Sequence, residues 1–396
     1  VAEQEVAETA VEPAELVARA AAIDVAKDTG MVCTRVPHES RSGRRVQKVW
    51  NVPARYGAIV ELADHLVCQG IERVVLEATS DYWRIWFYLL EAAGLEVWLV
   101  NARDVKNVPG RPKTDKLDCI WLCKLNERGM LRPSFVPPEE IRDLRALTRL
   151  RTTLTRECSR HKQRTEKILE DALIKVSAVV SDLFGMSGRA MLRALVAGER
   201  DPKVLAGLAL GRLRPKQAQL AEALTGRFRD VHAYEIGLLL GLIDTLETRI
   251  TELDRKIETH LAALPGVPPA CTRCGLIGGG HAPGCDNYGA QLLSLVQRLD
   301  EITGVGTITA QVIIAELGLA MTQFPTAAHA AAWAKLTPRT IQSGARTRTG
   351  RTGKGNPWLR GSLGDAAMAA GKTDTYLGER YRRIRRRRGK QKAIVA

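Results

Sequence analysis

The chain is poor in aromatic residues, which make up 5% of its 396 positions. It has no apolar run approaching the roughly 18 residues that a membrane-crossing helix needs. Its opening stretch, VAEQEVAETAVEPAELVA, holds five Glu and no base. That excludes the basic start of a signal peptide and reads as a short acidic, partly helical leader. The eight cysteines are scattered rather than paired as a framework, so a reducing cytoplasm is the expected compartment. Acids are scarcest toward the end. Between Arg339 and Lys392 sixteen Lys or Arg face three acids, and YRRIRRRRGKQK is the densest part. The whole chain carries +15 with a pI near 9.6, which favours a polyanionic partner, above all nucleic acid. What is present in quantity is hydrophobic residue, at 45%. A chain of this length exceeds one compact core, so two or three domains are expected.

The first part reads as alternating strands and helices. AAAIDVAKDTGMVCTRVP gives a strand, a KDTG turn and a second strand, and RRVQKVWNV gives a third. Residues 55–69 have helical spacing, IERVVLEAT is a buried-type strand, YWRIWFYLLEAAG is an apolar helix and LEVWLVN another strand. A helix then runs from near Asp115 to about Arg128. The order β-β-β-α-β-α-β-α implies an α/β domain with a mixed sheet. From about 139 to 263 long helical stretches dominate, with alternating charges among Leu and Ile, which predicts antiparallel helices or a coiled coil and an oligomer contact. The alternative is a monomeric helical linker.

The acids of the first domain stand out. Asp24 lies inside the strand AIDVA and Glu77 ends VVLEAT, and a carboxylate in an apolar strand is costly unless paired or metal-bound. In KTDKLD, Asp115 and Asp118 are three apart, on one helical face. They could simply cap and charge a helix start. Together with Asp24 and Glu77 they also suit one or two Mg²⁺ ions, which prefer oxygen ligands.

Strand-borne Asp, strand-borne Glu and a late Asp-x-x-Asp helix resemble the Holliday-junction-resolvase version of the ribonuclease H fold. KTDKLDCIWLCKL and the C-terminal half are similar to the DEDD transposases of bacterial insertion sequences, the bridge-RNA-guided recombinases. The likeness spans residues 20 to about 370, apart from a cysteine-rich insert. It implies a RuvC-like domain with catalytic, Mg²⁺-binding Asp24, Glu77, Asp115 and Asp118. In LTPRTIQSGARTRTGRTGKGNPWLRGSLGDAA, the elements Pro338, Ser343-Gly344, GKGN and Leu359-Arg360 resemble that family's second domain. The resemblance makes Ser343 the nucleophile, forming a phosphoserine link to DNA. It also implies a structured guide RNA, element-junction and target DNA, and a homotetramer assembled from dimers. Arg339, Arg346, Arg348, Arg351, Lys354 and Arg360 are candidate phosphate contacts. From residues alone, Ser343 is one serine in a basic loop. Lys335 stands where the family usually has glycine. Tyr376 and Tyr381 are rival nucleophiles without a supporting motif.

TGVGTITAQVIIAELG resembles a helix-hairpin-helix, in which Gly304 and Gly306 would let backbone approach a DNA phosphate. The alternative is an ordinary interhelical turn. Cys271, Cys274, His281 and Cys285 have the spacing C-x2-C-x6-H-x3-C, which suits a closed structural Zn²⁺ site. The expected architecture is α/β plus all-α: an acidic leader (1–19), a RuvC-like domain (20–137), a helical coiled-coil region (138–264), a zinc-binding insert (265–290), a mostly helical serine transposase domain (291–372) and a basic tail (373–396). The expected function is RNA-guided DNA strand cleavage and exchange by a bacterial, nucleoid-associated enzyme. A metal-dependent junction nuclease using water and a non-catalytic nucleic-acid-binding scaffold are the alternatives.

Overall fold

The structure, a computed structural model, describes residues 17–40, 44–77, 80–101, 114–264, 294–344 and 346–396. The chain divides into two compact units, Val1–Val136 and Pro137–Ala396.

The first unit is built on strands β1 (Ala20–Val25), β2 (Thr29–Pro37) and β3 (Arg45–Pro53), helix α1 (Tyr56–Cys68), β4 (Arg73–Glu77), α2 (Trp83–Ala92), β5 (Glu96–Val100) and α3 (Asp115–Glu127). The sheet order is β3-β2-β1-β4-β5. β1–β2 and β2–β3 are antiparallel, while β1–β4 and β4–β5 are parallel. This is the mixed sheet the strand order implied, in ribonuclease-H-like arrangement. The period-two pattern of β1 and β4 separates two cores. Ile23, Val25, Val74 and Leu76 face α1 and α2, where Ile59, Leu66 and the fully buried Trp86 cover them. Ala20, Ala22 and Val75 face α3, meeting Cys119, Leu122 and Cys123. Small side chains on β1 let α3 lie close to the sheet.

The second unit starts with α4 (Glu139–Asp171), followed by α5 (Met186–Val196), α6 (Pro202–Gly207), α7 (Gln217–Ala223) and α8 (Asp230–Ala262). α4 and α8 run antiparallel, joined by ion pairs of Arg151 with Asp254 and of Lys162 with Glu247 (2.8 Å), and by a hydrogen bond between Asp171 and His232 (3.0 Å). The three shorter helices pack an apolar cap on the end of this pair, around Leu169, Met191, Leu205 and Ile236. Then come α9 (Leu295–Asp300), α10 (Thr307–Leu317), α11 (Ala327–Trp333), the hairpin β6 (Pro338–Ser343) and β7 (Arg346–Thr352), α12 (Pro357–Ala370), α13 (Tyr376–Arg388) and α14 (Lys390–Val395). The serine segment, read from sequence as a loop, is this hairpin. Thr340, Ile341, Thr347 and Thr349 are β-branched and favour extended backbone. The basic tail is helical, with Ala393 buried.

Candidate functional site

β1 and β4 pair in parallel register up to Ile23 and Leu76, so Asp24 and Glu77 follow as the next residue on each. Both share parity with the residues facing α3, which puts the two acids on that side of the sheet. Glu77 is 7% exposed and Asp24 half-buried. The other two acids open α3. Thr114, in extended backbone, is the cap, and its Oγ1 accepts from the Leu117 N–H at 3.3 Å. Asp115 is therefore the first helical residue rather than the cap. Asp115 is exposed and Asp118 half-buried, both at the positive end of the helix dipole.

The residue after Asp118 ties this helix start to β1. Cys119 Sγ donates to the Met31 carbonyl at 2.9 Å and approaches that of Ala22 at 3.4 Å. Its thiol is pushed up by contact with Cys33 first and burial second, with the Asp24 carboxylate among the lesser causes. One and two turns on, Cys123 reaches the Ala20 carbonyl at 3.5 Å, and buried Asn126 donates to Ala21 O at 3.0 Å and Arg73 O at 3.2 Å. Glu127 closes the far end through Arg35 (2.6 Å) and Arg45 (2.9 Å). These bonds fix the height of α3 over β1 and β4.

The donor set is all carboxylate, which suits a hard divalent cation, and the buried Glu77 is the kind of group such an ion stabilises. Among the described residues, no three His, Cys, Asp or Glu side chains already lie close enough to hold a metal together. Asp24 and Glu77 thus share the sheet face that α3 covers, and Asp115 and Asp118 lie in the first turn of that helix. The insert with Cys271, Cys274, His281 and Cys285 lies outside the described residues.

In the second unit, Ser343 ends β6 and pairs with Arg346 across a two-residue connection, where Gly344 has φ +58°. Arg346 and Arg348 are exposed along β7, and Lys354 and Arg360 are exposed beyond it. Arg339 and Arg351 occupy β6 and β7. Both feet of the hairpin are held. After α11, Lys335 has φ +55°. Gly355 packs so tightly there that a Cβ would sit 2.2 Å from the Ala334 carbonyl. Asn356 then caps α12, its Oδ1 accepting from the Trp358 and Leu359 N–H groups at 3.0 and 3.1 Å. Its Nδ2 donates to Glu316 Oε2 at 2.5 Å.

Glu316 was not singled out from sequence, although it stands alone in the apolar run AQVIIAEL. It is fully buried, and Arg149 grips it with two bonds at 2.7 and 2.8 Å. Arg145 lies 3.3 Å away and also donates to the Ala315 and Glu316 carbonyls at 2.9 Å, satisfying the end of α10.

Gly304 and Gly306 differ. Gly304 has φ +88°, and a Cβ there would lie 2.4 Å from the Ala366 carbonyl. The close approach of α12 accounts for this glycine. Gly306 caps α10 with open space beside it. Tyr376 is exposed, whereas Tyr381 packs against Gly371.

Comparison with known proteins adds to this geometry. A DEDD-type family described as transposase matches residues 21–174, and one described as transposase IS116/IS110/IS902 family matches residues 296–382. A Pseudomonas aeruginosa protein described as a probable family 20 transposase is 26% identical over 307 residues, covering 76% of this chain and 73% of its own. A Sinorhizobium fredii protein named as a transposase is 28% identical over 160 residues, 37% of each chain. Among solved structures, Thermus thermophilus RuvC matches at 13% identity with a TM-score of 0.22, over 29% of this chain and 99% of its own.

Proposed function

Since the chain belongs to the IS110 family of DEDD transposases, we propose that it cuts and rejoins DNA through a phosphoserine intermediate, with Mg²⁺ held by Asp24, Glu77, Asp115 and Asp118. A transposase acts on DNA, and the finer reading concerns how. The observation that carries it is the placement of Asp24 and Glu77 at neighbouring strand ends, on the face that α3 covers with Asp115 and Asp118 at its start. When bound, the cation supplies Lewis-acid stabilisation of charge on phosphate and leaving oxygens.

The chain's own residues do the rest. The Ser343 hydroxyl attacks phosphorus, losing its proton as the P–O bond forms. The bond to the 3′ oxygen breaks, and that oxygen takes up a proton to leave a free 3′-hydroxyl. Reversal by another 3′-hydroxyl rejoins DNA and frees the serine. Arg346, Arg348, Lys354 and Arg360 supply positive charge against the phosphate. Arg339 and Arg351 belong to the same basic hairpin.

A structured guide RNA would set sequence choice by base pairing, leaving the protein to read shape and phosphates. The net charge of +15 supports a large polyanionic partner. A homotetramer built from dimers is supported by Val231, Tyr234, Leu238 and Leu242, an exposed apolar stripe at helical spacing on α8. No described helix is long and apolar enough to cross a membrane, and the proposed setting is the bacterial cytoplasm, at the nucleoid.

Covalent capture tests the reaction. The protein is mixed with Mg²⁺, labelled element-junction and target DNA, and RNA transcribed from the element's flanks, then run on a denaturing gel. A protein–DNA adduct is expected in wild type and absent in Ser343→Ala and Asp115→Asn. Cleavage without an adduct, indifferent to Ser343→Ala, would replace the serine by water.

A further inference from the structure

The matched family region stops at residue 382, yet the densest positive charge lies just beyond it. That charge is folded. Thr375 caps α13, its Oγ1 accepting from the Gly378 N–H at 3.4 Å. Arg382 is committed inward, bonded to Glu379 (2.7 Å), Asp374 (3.3 Å) and the Thr373 carbonyl (3.1 Å). The arginines after it are different. Arg383, Arg385, Arg386, Arg387 and Arg388 are exposed, and no carboxylate among the described residues pairs with them. α14 folds back against α12 and α13, so the arginine helix is held from both ends.

Their arrangement on the helix is informative. Successive residues turn by roughly 100°. Arg383, Arg386 and Arg387 therefore cover one side and Arg385 and Arg388 the opposite one. In the first two turns that second side is occupied by Gly378 and Tyr381, which pack inward. Only in the last turns does arginine appear on both sides. Like charges this close repel one another, and an arginine-only surface is relieved by phosphates on both flanks.

We propose that the last two turns of α13 are a docking element for duplex DNA, lying in a major groove and gripping the phosphate rows on either side. A helix with its side chains is about 10–12 Å across, and the B-form major groove is about 12 Å wide. The major groove of A-form RNA is too narrow and deep for this. The exposed residues are arginines, which bind phosphate without needing a base sequence, so the contact is sequence-independent. The inference rests on the reading that the chain acts on DNA and not on the serine mechanism.

The test is a salt titration of the full chain on a random-sequence DNA duplex and an RNA duplex of equal length, read by fluorescence anisotropy. The variant replaces Arg385, Arg386, Arg387 and Arg388 with Gln, which keeps helix propensity. A second variant, Arg383→Gln with Arg387→Gln, covers the possibility that the first misfolds. The slope of log affinity against log salt is expected to fall by roughly 2–4 on DNA for the quadruple variant, about 0.9 per lost phosphate contact. Affinity for the RNA duplex should change less than twofold. Ser343→Ala should leave the DNA slope at the wild-type value, which separates this surface from the serine reaction. An unchanged DNA slope in both arginine variants overturns the proposal, as does an equal or larger loss on RNA.

Discussion

The Glu316 carboxylate, fully buried, accepts a hydrogen bond of 2.5 Å from the side chain of Asn356, which at the same time caps α12. One acid thereby links the long helix α4, through Arg145 and Arg149, to the turn that ends the serine hairpin. The two partners should differ in what they cost. Asn356→Ser keeps a capping oxygen and loses only the bond to Glu316, about 1–2 kcal/mol. Glu316→Ala leaves two arginines without their carboxylate. A fully buried pair broken this way costs about 3–5 kcal/mol, and Arg149 is 35% exposed, so about 2–3 kcal/mol is expected. Urea denaturation of the two variants checks the order, and equal losses would refute it.

Lys335 should be replaceable to advantage. It has φ +55°, a left-handed conformation that costs a residue with a Cβ about 1 kcal/mol relative to glycine. Lys335→Gly is expected to raise stability by about 0.5–1 kcal/mol, read as a higher melting temperature. A lower melting temperature would mean that the Lys side chain contributes more than the strain removes.

The two glycines of the α9–α10 turn should respond differently. Gly304→Ala would place a Cβ 2.4 Å from the Ala366 carbonyl, in a left-handed conformation, and should destabilise by about 2 kcal/mol or more. Gly306→Ala meets nothing within 4 Å and should melt as wild type. If Gly306 approaches a phosphate, the same variant should weaken DNA binding while leaving stability intact. Parallel melting and binding curves separate the two roles.

The sheet was legible in sequence because its strands are short apolar runs bounded by turns, and the period-two pattern assigns Asp24 and Glu77 to one face. Asp115 and Asp118 were visible from spacing alone, whereas the cap falls on Thr114, one residue earlier. The hairpin around Ser343 was hidden by its Gly and Arg content, which masks an alternation of Thr and Ile. Glu316 carried the same signal as Asp24, an acid among apolar residues. Its partners Arg145, Arg149 and Asn356 are so distant in sequence that nothing local connects them.

Magnesium should stabilise wild type and leave Asp24→Asn nearly unchanged. A cation that binds only the folded site adds stability, about 1.4 kcal/mol at ten times its dissociation constant. Wild type should therefore melt higher with Mg²⁺ than with chelator, whereas the variant should hardly respond. Melting curves with Mg²⁺ and with chelator give both arms, and an equal Mg²⁺ response in the two proteins would remove Asp24 from the ligand set.

Thiol reactivity tests the cysteine insert without relying on activity. Of the described cysteines, Cys33, Cys119, Cys123 and Cys158 are buried and Cys68 is exposed. Contact with Cys33 and burial push the Cys119 and Cys123 thiols up, which keeps them protonated and slow to react. If Cys271, Cys274 and Cys285 bind Zn²⁺ with His281, native protein should show one fast thiol toward an aromatic disulfide reagent, that of Cys68. Removing zinc with a chelator should expose the other three, bringing the fast set to four, with zinc released in step. Four fast thiols in the untreated protein, and no zinc by elemental analysis, would show that the insert holds no metal.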